Sequence, residues 1–389
     1  LVNKTTLRLH LSGLFGLRIS KSVNRCDIFY MFIFFFGGTY RMRIVVLAGG
    51  LSPERDVSFS SGSLVANALL EKGHEVVMAD LYEGIELSSD ASDVFISPSD
   101  AFRYCFDIPD TAPNIREIIA RNGGREEPIG RNILYLCRLA DVVFIALHGS
   151  VGENGQLQAV LECHGIRYTG TDYCGSLLAM DKDLSKKLIR LAGVPTADWL
   201  LVKPTGESLR EVSETIGFPC FVKPVHCGSS VGISKANCEE DFLTAVRLGN
   251  EYESTVMAEK MVSGREFSVG ILGDEALPVI EIIPHEGFYD YKNKYQKGLA
   301  TEVCPADLTK EQADRVSRYA RMVHRALRLG SYSRIDFILD KDNEFICLEA
   351  NTLPGMTPTS LLPQEAAQVG ISYAELCDRI VRMSYDGER

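Results

Sequence analysis

SRIDFILDKDNEFICLEANTLPGMTPTSL, residues 333–361, opens with the pattern of a β-hairpin. Two apolar runs, Ile335–Leu339 and Phe345–Leu348, flank a turn at Asp340–Asn343, and such runs around turn residues are typical of paired strands. Closing the hairpin on this turn places Leu339 opposite Glu344. The stretch therefore predicts two antiparallel strands with a defined register.

This register predicts a metal site on one face of the hairpin. It places Arg334 opposite Glu349 and Asp336 opposite Cys347, and Asn351 shares the face of Glu349 because side chains alternate along a strand. Asp336 and Glu349 are then diagonal neighbours, about 7–8 Å apart at the backbone. Two carboxylates and an amide oxygen repel one another there unless a cation lies between them, and Mg²⁺ suits such ligands. The alternative is a solvated hairpin face.

The end of the stretch predicts a ligand-binding loop. Residues 353–360, LPGMTPTS, are too rich in proline, glycine and hydroxyl groups to continue a strand. We expect the backbone N–H and hydroxyl groups of this loop to contact a ligand.

The composition is that of a globular protein with two or three domains. The 389 residues are 46% hydrophobic and 24% charged, and their net charge of −11 argues against nucleic acid as a partner. The eleven cysteines show no CxxC or zinc-finger spacing. A reduced, cytoplasmic chain explains them better than a disulfide framework does.

Residues 1–41 do not resemble the remainder of the chain. Their apolar run Ile28–Phe36 is nine residues long, whereas a membrane helix needs about 20. A signal peptide has a cleavage site of small residues after its apolar run, and no such site follows here. Because Met42 opens a clean strand, we expect residues 1–41 to be upstream sequence outside the working protein, with a peripheral membrane anchor as the alternative.

The first strand opens a βαβ unit, which implies a parallel sheet. Apolar residues 44–47 predict the strand, a helix follows from about Ser60 to a stop at Gly73, and residues 75–80 predict the second strand. Residues 82–132 are polar and turn-rich and predict a surface insertion.

Two residues at strand ends in this half are candidate ligand contacts. No GxGxxG is present, so a dinucleotide site is unsupported. The first turn instead places Glu54 at the carboxyl edge of the sheet, and His148 ends a later strand among glycines. Open α/β sheets bind ligands at that edge, although a lone glutamate in a loop is more often solvated.

Residues 218–232, FPCFVKPVHCGSSVG, predict a strand that runs into a phosphate-binding loop. Lys223 precedes the glycines, so the pattern is not the Walker motif GxxxxGK[ST]. Small residues still let backbone N–H groups curl around phosphate, and the nearby ammonium adds positive charge. An ordinary Gly-Ser loop is the alternative, and Cys227 is expected to fill the loop only.

Two further segments complete the pattern. Residues 286–298 are crowded with Asn, Lys, Tyr and Gly and predict a mobile lid. Thr309 and Gln312 form a capping box for a long helix that Gly330 ends.

Eight segments in order resemble the motifs of D-alanine–D-alanine ligases of the ATP-grasp superfamily: GGLSPERDVS, ALHGSVGENG, MDK, FVKP...GSSVG, AEK...GREF, FYDYKNKY, SRIDF and LEANTLPGMTPTS. The resemblance runs from about residue 42 to residue 383. It implies an α/β fold of the ATP-grasp type with three domains. A Rossmann-like N-terminal domain would span residues 42–170, and central (171–257) and C-terminal (258–389) subdomains would clasp ATP between two sheets.

The resemblance also implies binding sites for ATP and metal. The implied ATP-binding residues are Lys182 and Lys223 for the phosphates, Glu259, Lys260, Met261 and Val262 for the adenine through their backbone, Glu266 for the ribose, and Phe288. Asp336, Glu349 and Asn351 would hold two Mg²⁺ or Mn²⁺ ions, in agreement with the hairpin argument.

The chemistry that the resemblance implies has two steps. The carboxylate of one D-alanine attacks the γ-phosphate to form an acyl phosphate, with Lys294 helping to neutralise charge. The amine of a second D-alanine then displaces phosphate, and Arg334 and the Gly355 N–H stabilise the oxyanion. The implied substrate contacts are Glu54 for the first ammonium, His148 beside that substrate, Ser360 near Lys294 for the second carboxylate, Leu361, and a lid-closing set of Tyr295, Ser229 and Glu54.

Two alternatives stay open. The chain could join D-alanine to D-serine, or less readily to D-lactate, or it could be a nucleotide sensor without catalysis. A protein that only binds nucleotide needs no arginine to stabilise an oxyanion, so Arg334 argues against the nucleotide sensor. For partners we expect D-alanine, ATP and a second copy of the chain in a homodimer, with neither nucleic acid nor a membrane.

Overall fold

Three β-sheets provide the frame of the molecule. The computed structural model describes residues 40–87, 91–109, 111–228, 231–285 and 300–387. Within these ranges the chain is mixed α/β, with one parallel sheet followed by two antiparallel sheets. The predicted fold class is confirmed, whereas the domain boundaries stay a prediction.

The parallel sheet comes first and confirms the predicted βαβ unit. Its elements are β1 (Arg43–Ala48), α1 (Arg55–Glu71), β2 (Glu75–Asp80) and β3 (Val142–Ile145), with the strand order β2-β1-β3. The connection from β2 to β3 holds a short 3₁₀ turn at Ala91–Val94 and helices α2 (Ile115–Arg121) and α3 (Ile133–Arg138).

Helix α1 begins earlier than its apolar pattern predicts. It starts at Arg55 rather than near Ser60, so Glu54 lies at the N-cap and not in an open loop. The polar residues before Ser60 find local partners: the Glu54 N–H donates to Ser52 Oγ at 3.1 Å, and Arg55 Nη1 donates to the Gly50 carbonyl at 2.7 Å. The helix can therefore start before its apolar face does.

The segment 82–132 is only partly a surface insertion. Tyr82, Phe95 and Ile118 are buried, and the Tyr82 hydroxyl donates to the Arg125 carbonyl at 2.6 Å. The prediction failed here because turn-rich composition hides a few widely spaced core residues.

The second sheet follows a run of helices. These are α4 (Ser150–Glu153), α5 (Gln156–Cys163), α6 (Tyr173–Met180) and α7 (Lys182–Leu191). The sheet and its helices are β4 (Trp199–Val202), α8 (Gly206–Thr215), β5 (Cys220–Pro224), β6 (Ser234–Ala236), α9 (Glu239–Tyr252) and β7 (Val256–Lys260), in the strand order β4-β7-β5-β6. Its apolar face packs on α8 and α9.

The third sheet carries the hairpin. Its elements are β8 (Gly264–Leu272), β9 (Glu275–Ala276), β10 (Ile280–Pro284), β11 (Ala300–Val303), α10 (Lys310–Ala326), β12 (Tyr332–Asp340) and β13 (Phe345–Asn351). The strand order is β11-β10-β8-β12-β13, with β9 on β8. Helix α10 has the predicted capping box of Thr309 and Gln312, but it ends at Ala326, before Gly330, and Arg328 takes the left-handed φ of 55°.

The turn of the hairpin explains its observed register. Asn343 has a φ of 62°, and the Asp340 N–H donates to the Glu344 carbonyl at 3.0 Å. The loop is therefore one residue shorter than predicted, and Leu339 pairs with Phe345 rather than with Glu344. A residue in the left-handed region at the end of a short loop is common in such hairpins.

A β-bulge then sets the functional face. The ladder shifts between Asp336 and Phe337, with Leu348 as the additional residue, so that Asp336 pairs directly with Glu349. Without the bulge, Glu349 would pair with the buried Ile335. The predicted common face of Asp336 and Glu349 is confirmed, but they are direct rather than diagonal partners, because the bulge is not visible in the apolar pattern.

The two C-terminal helices return to the N-terminal sheet. They are α11 (Leu361–Gln368) and α12 (Tyr373–Asp386). The Met42 N–H donates to His74 Nδ1 at 3.2 Å, so the ring proton is on Nε2, which lies 2.8 Å from Asp378 Oδ1 on α12. This buried contact holds α12 beside α1, and Glu54 is the N-cap residue of α1.

Cysteine chemistry and hydropathy add two observations. The ten cysteines in the described ranges are all free. Across those same ranges, no helix has both the length and the apolar character that crossing a bilayer requires.

Candidate functional site

A polar cleft lies where the three sheets approach one another. Its charged lining residues are Glu54, Glu153, Lys182, Lys186, Lys223, Arg334 and Glu349, with His148, Leu348, Asn351 and Gly355 also in the wall. The N-terminal sheet, the helices α6 and α7, strand β5 and strand β13 all contribute. The sequence-predicted residues Glu54, His148, Lys182, Lys223, Arg334, Glu349, Asn351 and Gly355 are therefore brought together.

The hairpin face of the cleft is organised around Asp336. Arg334 donates to both of its oxygens, from Nε at 3.0 Å and from Nη2 at 2.8 Å. Ser268 Oγ donates to Oδ1 at 2.8 Å and Asn351 Nδ2 donates to Oδ2 at 3.0 Å. The expected repulsion between carboxylates is therefore already relieved at Asp336, because the adjacent arginine supplies a positive charge.

The donor set of this face fits a hard divalent cation. Asp336 and Glu349 are paired across the hairpin, and Asn351 lies on the same face beside them. Carboxylate and amide oxygens are ligands that Mg²⁺ and Mn²⁺ accept. The described residues contain no cluster of three or more His, Cys, Asp or Glu side chains that could hold a metal, and this face offers two carboxylates and one amide.

Another part of the cleft wall, the carboxylate corner, is formed by Glu54, His148 and Glu153. Gly149 follows His148 with a φ of 84°, and a Cβ there would lie 2.5 Å from Ser52 Oγ, so the chain approaches the Glu54 turn closely. The Gly149 N–H donates to Glu153 Oε2 at 2.6 Å. Burial and the neighbouring Glu54 carboxylate raise the pKa of Glu153 to about 8.

His148 faces this corner as a neutral imidazole. Burial lowers its pKa, and the Arg334 guanidinium acts in the same direction against the opposing Glu54 carboxylate. The ring bonds the Leu353 backbone, whereas Nε2 has no partner among the described residues. The Nε2 lone pair is therefore available to a ligand.

Lys182 ties the predicted phosphate-binding loop to the start of α7. Its Nζ donates to the Cys227 carbonyl at 2.5 Å, and its backbone N–H donates to the Val225 carbonyl at 3.2 Å. Burial lowers the pKa of Lys182, and the Glu349 carboxylate opposes that shift. The lysine thus lies between the loop and the hairpin.

Two lysines share the buried carboxylate of Glu259. Lys186 Nζ bonds one carboxylate oxygen and Lys223 Nζ bonds the other. Lys186 also donates to Thr196 Oγ1 at 2.6 Å. Burial opposes ionisation of Glu259, but the two ammonium groups outweigh it and lower its pKa to about 2. The side chain of Glu259 therefore holds two cations of the cleft, and the contact of its backbone with adenine stays a prediction.

The loop after β13 places the remaining substrate candidates. A Cβ at Gly355 would lie 2.9 Å from Ser360 Oγ, so the two residues are adjacent. Ser360 is the N-cap of α11 and accepts the Thr357 N–H at 3.1 Å. The Leu361 side chain is buried against Ile280 and Ile282, so any ligand contact of Leu361 would come from its backbone.

Some predicted residues are not among the lining residues of the cleft or lie outside the described ranges. Lys260 ends β7, Met261 and Val262 lie between β7 and β8, and Glu266 lies on β8. None of these four lines the cleft, and neither do Glu259, Asp336, Ser360 and Leu361. Ser229, Phe288, Lys294 and Tyr295 lie outside the described residues, so their roles stay predictions.

Sequence reasoning missed several residues of the wall, among them Lys186, Glu153 and Leu348. Lys186 is one helical turn after Lys182, which is a signal for a shared helix face. Glu153 belongs to the glycine-rich segment that follows His148, and its burial was not visible in that polar pattern. Leu348 reaches the cleft only because of the β-bulge.

Comparison with known protein families gives matches over most of the chain. The model of the D-ala D-ala ligase N-terminus matches residues 43–171, and that of the D-ala D-ala ligase C-terminus matches residues 188–382. A D-alanine–D-alanine ligase of Pediococcus pentosaceus is 39% identical over 87% of this chain and 97% of its own length. One from Desulfotalea psychrophila is 36% identical over 89% of this chain and 96% of its own length.

Solved structures agree with these matches. A D-alanine–D-alanine ligase from Bacillus anthracis, complexed with ATP, is 30% identical with a TM-score of 0.67, over 89% of this chain and 97% of that one. The VanG D-Ala:D-Ser ligase from Enterococcus faecalis is 26% identical with a TM-score of 0.70, over 89% of this chain and 100% of that one.

The lysine pair on Glu259 leads to a stability prediction. Replacing Lys186 with Met leaves the buried carboxylate with one cation instead of two, so the free energy of unfolding should fall by about 1–3 kcal/mol. Urea unfolding at neutral pH measures the loss. The matched control is Lys187→Met on the exposed side of α7, where a change within about 0.5 kcal/mol is expected. Equal effects for the two variants would contradict the role given to Lys186.

Proposed function

The chain belongs to the D-alanine–D-alanine ligase family, and we propose that it joins two D-alanine molecules with cleavage of ATP to ADP and phosphate. One observation carries the proposal. The cleft gathers a group of lysines, an arginine on the hairpin and a carboxylate corner within one wall. Phosphates, an oxyanion and an ammonium each need one of these three environments.

The lysine group supports phosphate binding. Lys182 bonds a carbonyl of the loop 225–228, and Lys223 precedes this loop on β5 and is held by Glu259. When ATP binds, Lys186 can keep Glu259 neutralised while Lys223 turns to the phosphates. Lys260, Met261, Val262 and Glu266, on the segment after Glu259, would meet the adenine and the ribose.

The hairpin supports metal binding beside those phosphates. Asp336, Glu349 and Asn351 would hold Mg²⁺ or Mn²⁺ ions, which when bound would neutralise charge on the β- and γ-phosphates. Asp336 is bonded by Arg334 from two nitrogens. If Asp336 turned toward a cation, Arg334 would be released toward the substrates.

The carboxylate corner supports binding of the first D-alanine. Its ammonium would bind Glu54, and its carboxylate would then face the lysines. Attack of a carboxylate oxygen on the γ-phosphorus forms the acyl phosphate and releases ADP. The buried wall around His148 and Glu54 would exclude water, which would otherwise hydrolyse the acyl phosphate.

The second step needs an amine and an oxyanion site. The second D-alanine would place its carboxylate at Ser360, and its amine would attack the carbonyl carbon of the acyl phosphate. Arg334 and the Gly355 N–H would stabilise the oxygen that becomes negative. The ammonium must first lose a proton, and His148 Nε2, which has no hydrogen-bond partner in the part of the chain that the structure describes, would be able to receive it. Phosphate then leaves with the electrons of the broken C–O bond.

The remaining features of the proposal follow from the reaction. It would take place in the cytoplasm, where ATP is available, and the product would serve peptidoglycan synthesis. We further propose that the chain acts as a homodimer, and that Ser229, Lys294 and Tyr295 complete the site as the family resemblance implies.

Product analysis with three acceptors tests the proposed function. The chain is incubated with ATP, Mg²⁺ and D-alanine, alone or with D-serine or D-lactate, and phosphate and coupled products are measured. We expect D-alanyl-D-alanine with one phosphate released for each dipeptide formed. D-alanyl-D-serine or D-alanyl-D-lactate as the main product would change the assigned acceptor. ATP binding without phosphate release would make the chain a nucleotide sensor.

Glu349→Gln tests the proposed metal face. The substitution removes one charged ligand without altering the Arg334–Asp336 pair, so folding should be unaffected and turnover should fall by at least about a hundredfold. Asp342→Asn in the exposed turn of the same hairpin is the matched control and should retain normal turnover. Normal turnover of Glu349→Gln at saturating Mg²⁺ would show that this face does not hold the cation.

A further inference from the structure

His226 occupies an unusual position in the loop 225–228, between two carboxylates. Its Nε2 lies 3.1 Å from Asp181 Oδ2, and its Nδ1 bonds Glu253 Oε1. The His226 backbone N–H donates to the other oxygen of Glu253 at 2.8 Å. One residue of the loop is therefore held by two acidic side chains that come from different helices.

The two carboxylates belong to the elements that shape the loop. Asp181 is the N-cap of α7, accepting the Leu184 N–H at 2.9 Å, and the next residue is Lys182. Glu253 is the C-cap residue of α9. The imidazole thus joins the start of α7 to the end of α9 across the loop whose carbonyl at Cys227 accepts the Lys182 ammonium.

This double contact requires a protonated ring. A neutral imidazole carries one N–H and can donate to one carboxylate only, whereas the imidazolium donates from both nitrogens. Asp181 faces the ring from the start of α7 and Glu253 faces it from the end of α9. Burial opposes protonation, but these two carboxylates outweigh it and raise the pKa of His226 above its ordinary value of 6.5.

We propose that protonated His226 is a positioning residue that clamps the loop 225–228 in its phosphate-binding form, so that affinity for ATP falls as pH rises through the titration of this ring. The inference rests on the phosphate-binding role proposed above for Lys182 and this loop. His226 itself does not touch the phosphates. Deprotonation removes one of the two hydrogen bonds between the ring and the carboxylates. The loop must then be ordered when the nucleotide binds, and the cost of this ordering weakens binding.

The raised pKa of His226 determines whether ATP affinity rises or falls with pH. Because the pKa is raised in the folded chain, the clamp is complete below about pH 6.5 and is lost as pH rises through the higher folded value. The ring is half exposed, so the contact is partly screened, and a loss of up to about fivefold in ATP affinity is expected.

Calorimetric titration with Mg-ATP between pH 6 and pH 9 tests the clamp in three forms of the full chain. The wild type should lose affinity across this range. His226→Arg keeps a permanent charge that can reach both carboxylates, so its dissociation constant should change less with pH. His226→Gln cannot be protonated, so at pH 6 it should bind more weakly than the wild type, and the difference between the two at equal pH should shrink toward pH 9. Lys182 is present in all three forms, so its titration cancels in the comparison.

The pKa of His226, measured by histidine NMR, is a second readout. A purely structural role of this residue would not change it. The ring of His226, assigned by its absence in His226→Gln, should titrate above pH 6.5 and move toward 6.5 in Glu253→Gln. The clamp is overturned if His226→Gln binds Mg-ATP like the wild type at pH 6, or if wild type and His226→Arg lose affinity equally with pH. Neither result affects the ligase proposal, which is decided by dipeptide formation at saturating ATP.

Discussion

The pair between Arg334 and Asp336 is the interaction on which the cleft depends. The two residues are on one strand and one face, and the arginine donates to both carboxylate oxygens. A buried carboxylate without a partner would be protonated or would destabilise the fold. The pair therefore lets the hairpin keep an ionised Asp336 beside Glu349, and it holds the arginine next to the place where negative charge would develop in the proposed reaction.

Charged groups in the rest of the cleft are likewise paired with partners or have a shifted pKa. Glu259 is neutralised by two lysines, Lys182 is held by the loop carbonyls, and Glu153 has a pKa raised to about 8 by burial and by Glu54. Cations thus gather on the side of α7 and β5, and carboxyl groups gather near α1 and β3. A substrate with a carboxylate at one end and an ammonium at the other has only one favourable orientation in such a field. In the proposed reaction, this orientation would direct the D-alanine carboxylate toward the phosphates.

Elements that depend on a short local pattern of residues could be predicted from the sequence alone. The βαβ unit, the capping box of Thr309 and Gln312, and the hairpin all follow from local patterns. The register of the hairpin does not, because a left-handed Asn343 and a bulge at Leu348 each move it by one residue. Lys186 and Glu153 were missed for a related reason. Their roles depend on burial against partners that are distant in sequence, and a polar pattern carries no information about burial.

Transfer of oxygen from substrate to phosphate would show whether the D-alanine carboxylate attacks ATP. D-alanine labelled with ¹⁸O in its carboxylate is incubated with the protein, Mg²⁺ and unlabelled ATP, and the released phosphate is analysed by mass spectrometry. Formation of an acyl phosphate places one carboxylate oxygen between carbon and phosphorus, and attack of the amine leaves that oxygen on the phosphate. The account therefore predicts one ¹⁸O atom in each phosphate for each dipeptide formed. Unlabelled phosphate would contradict it, because water rather than the D-alanine carboxylate would then have attacked ATP.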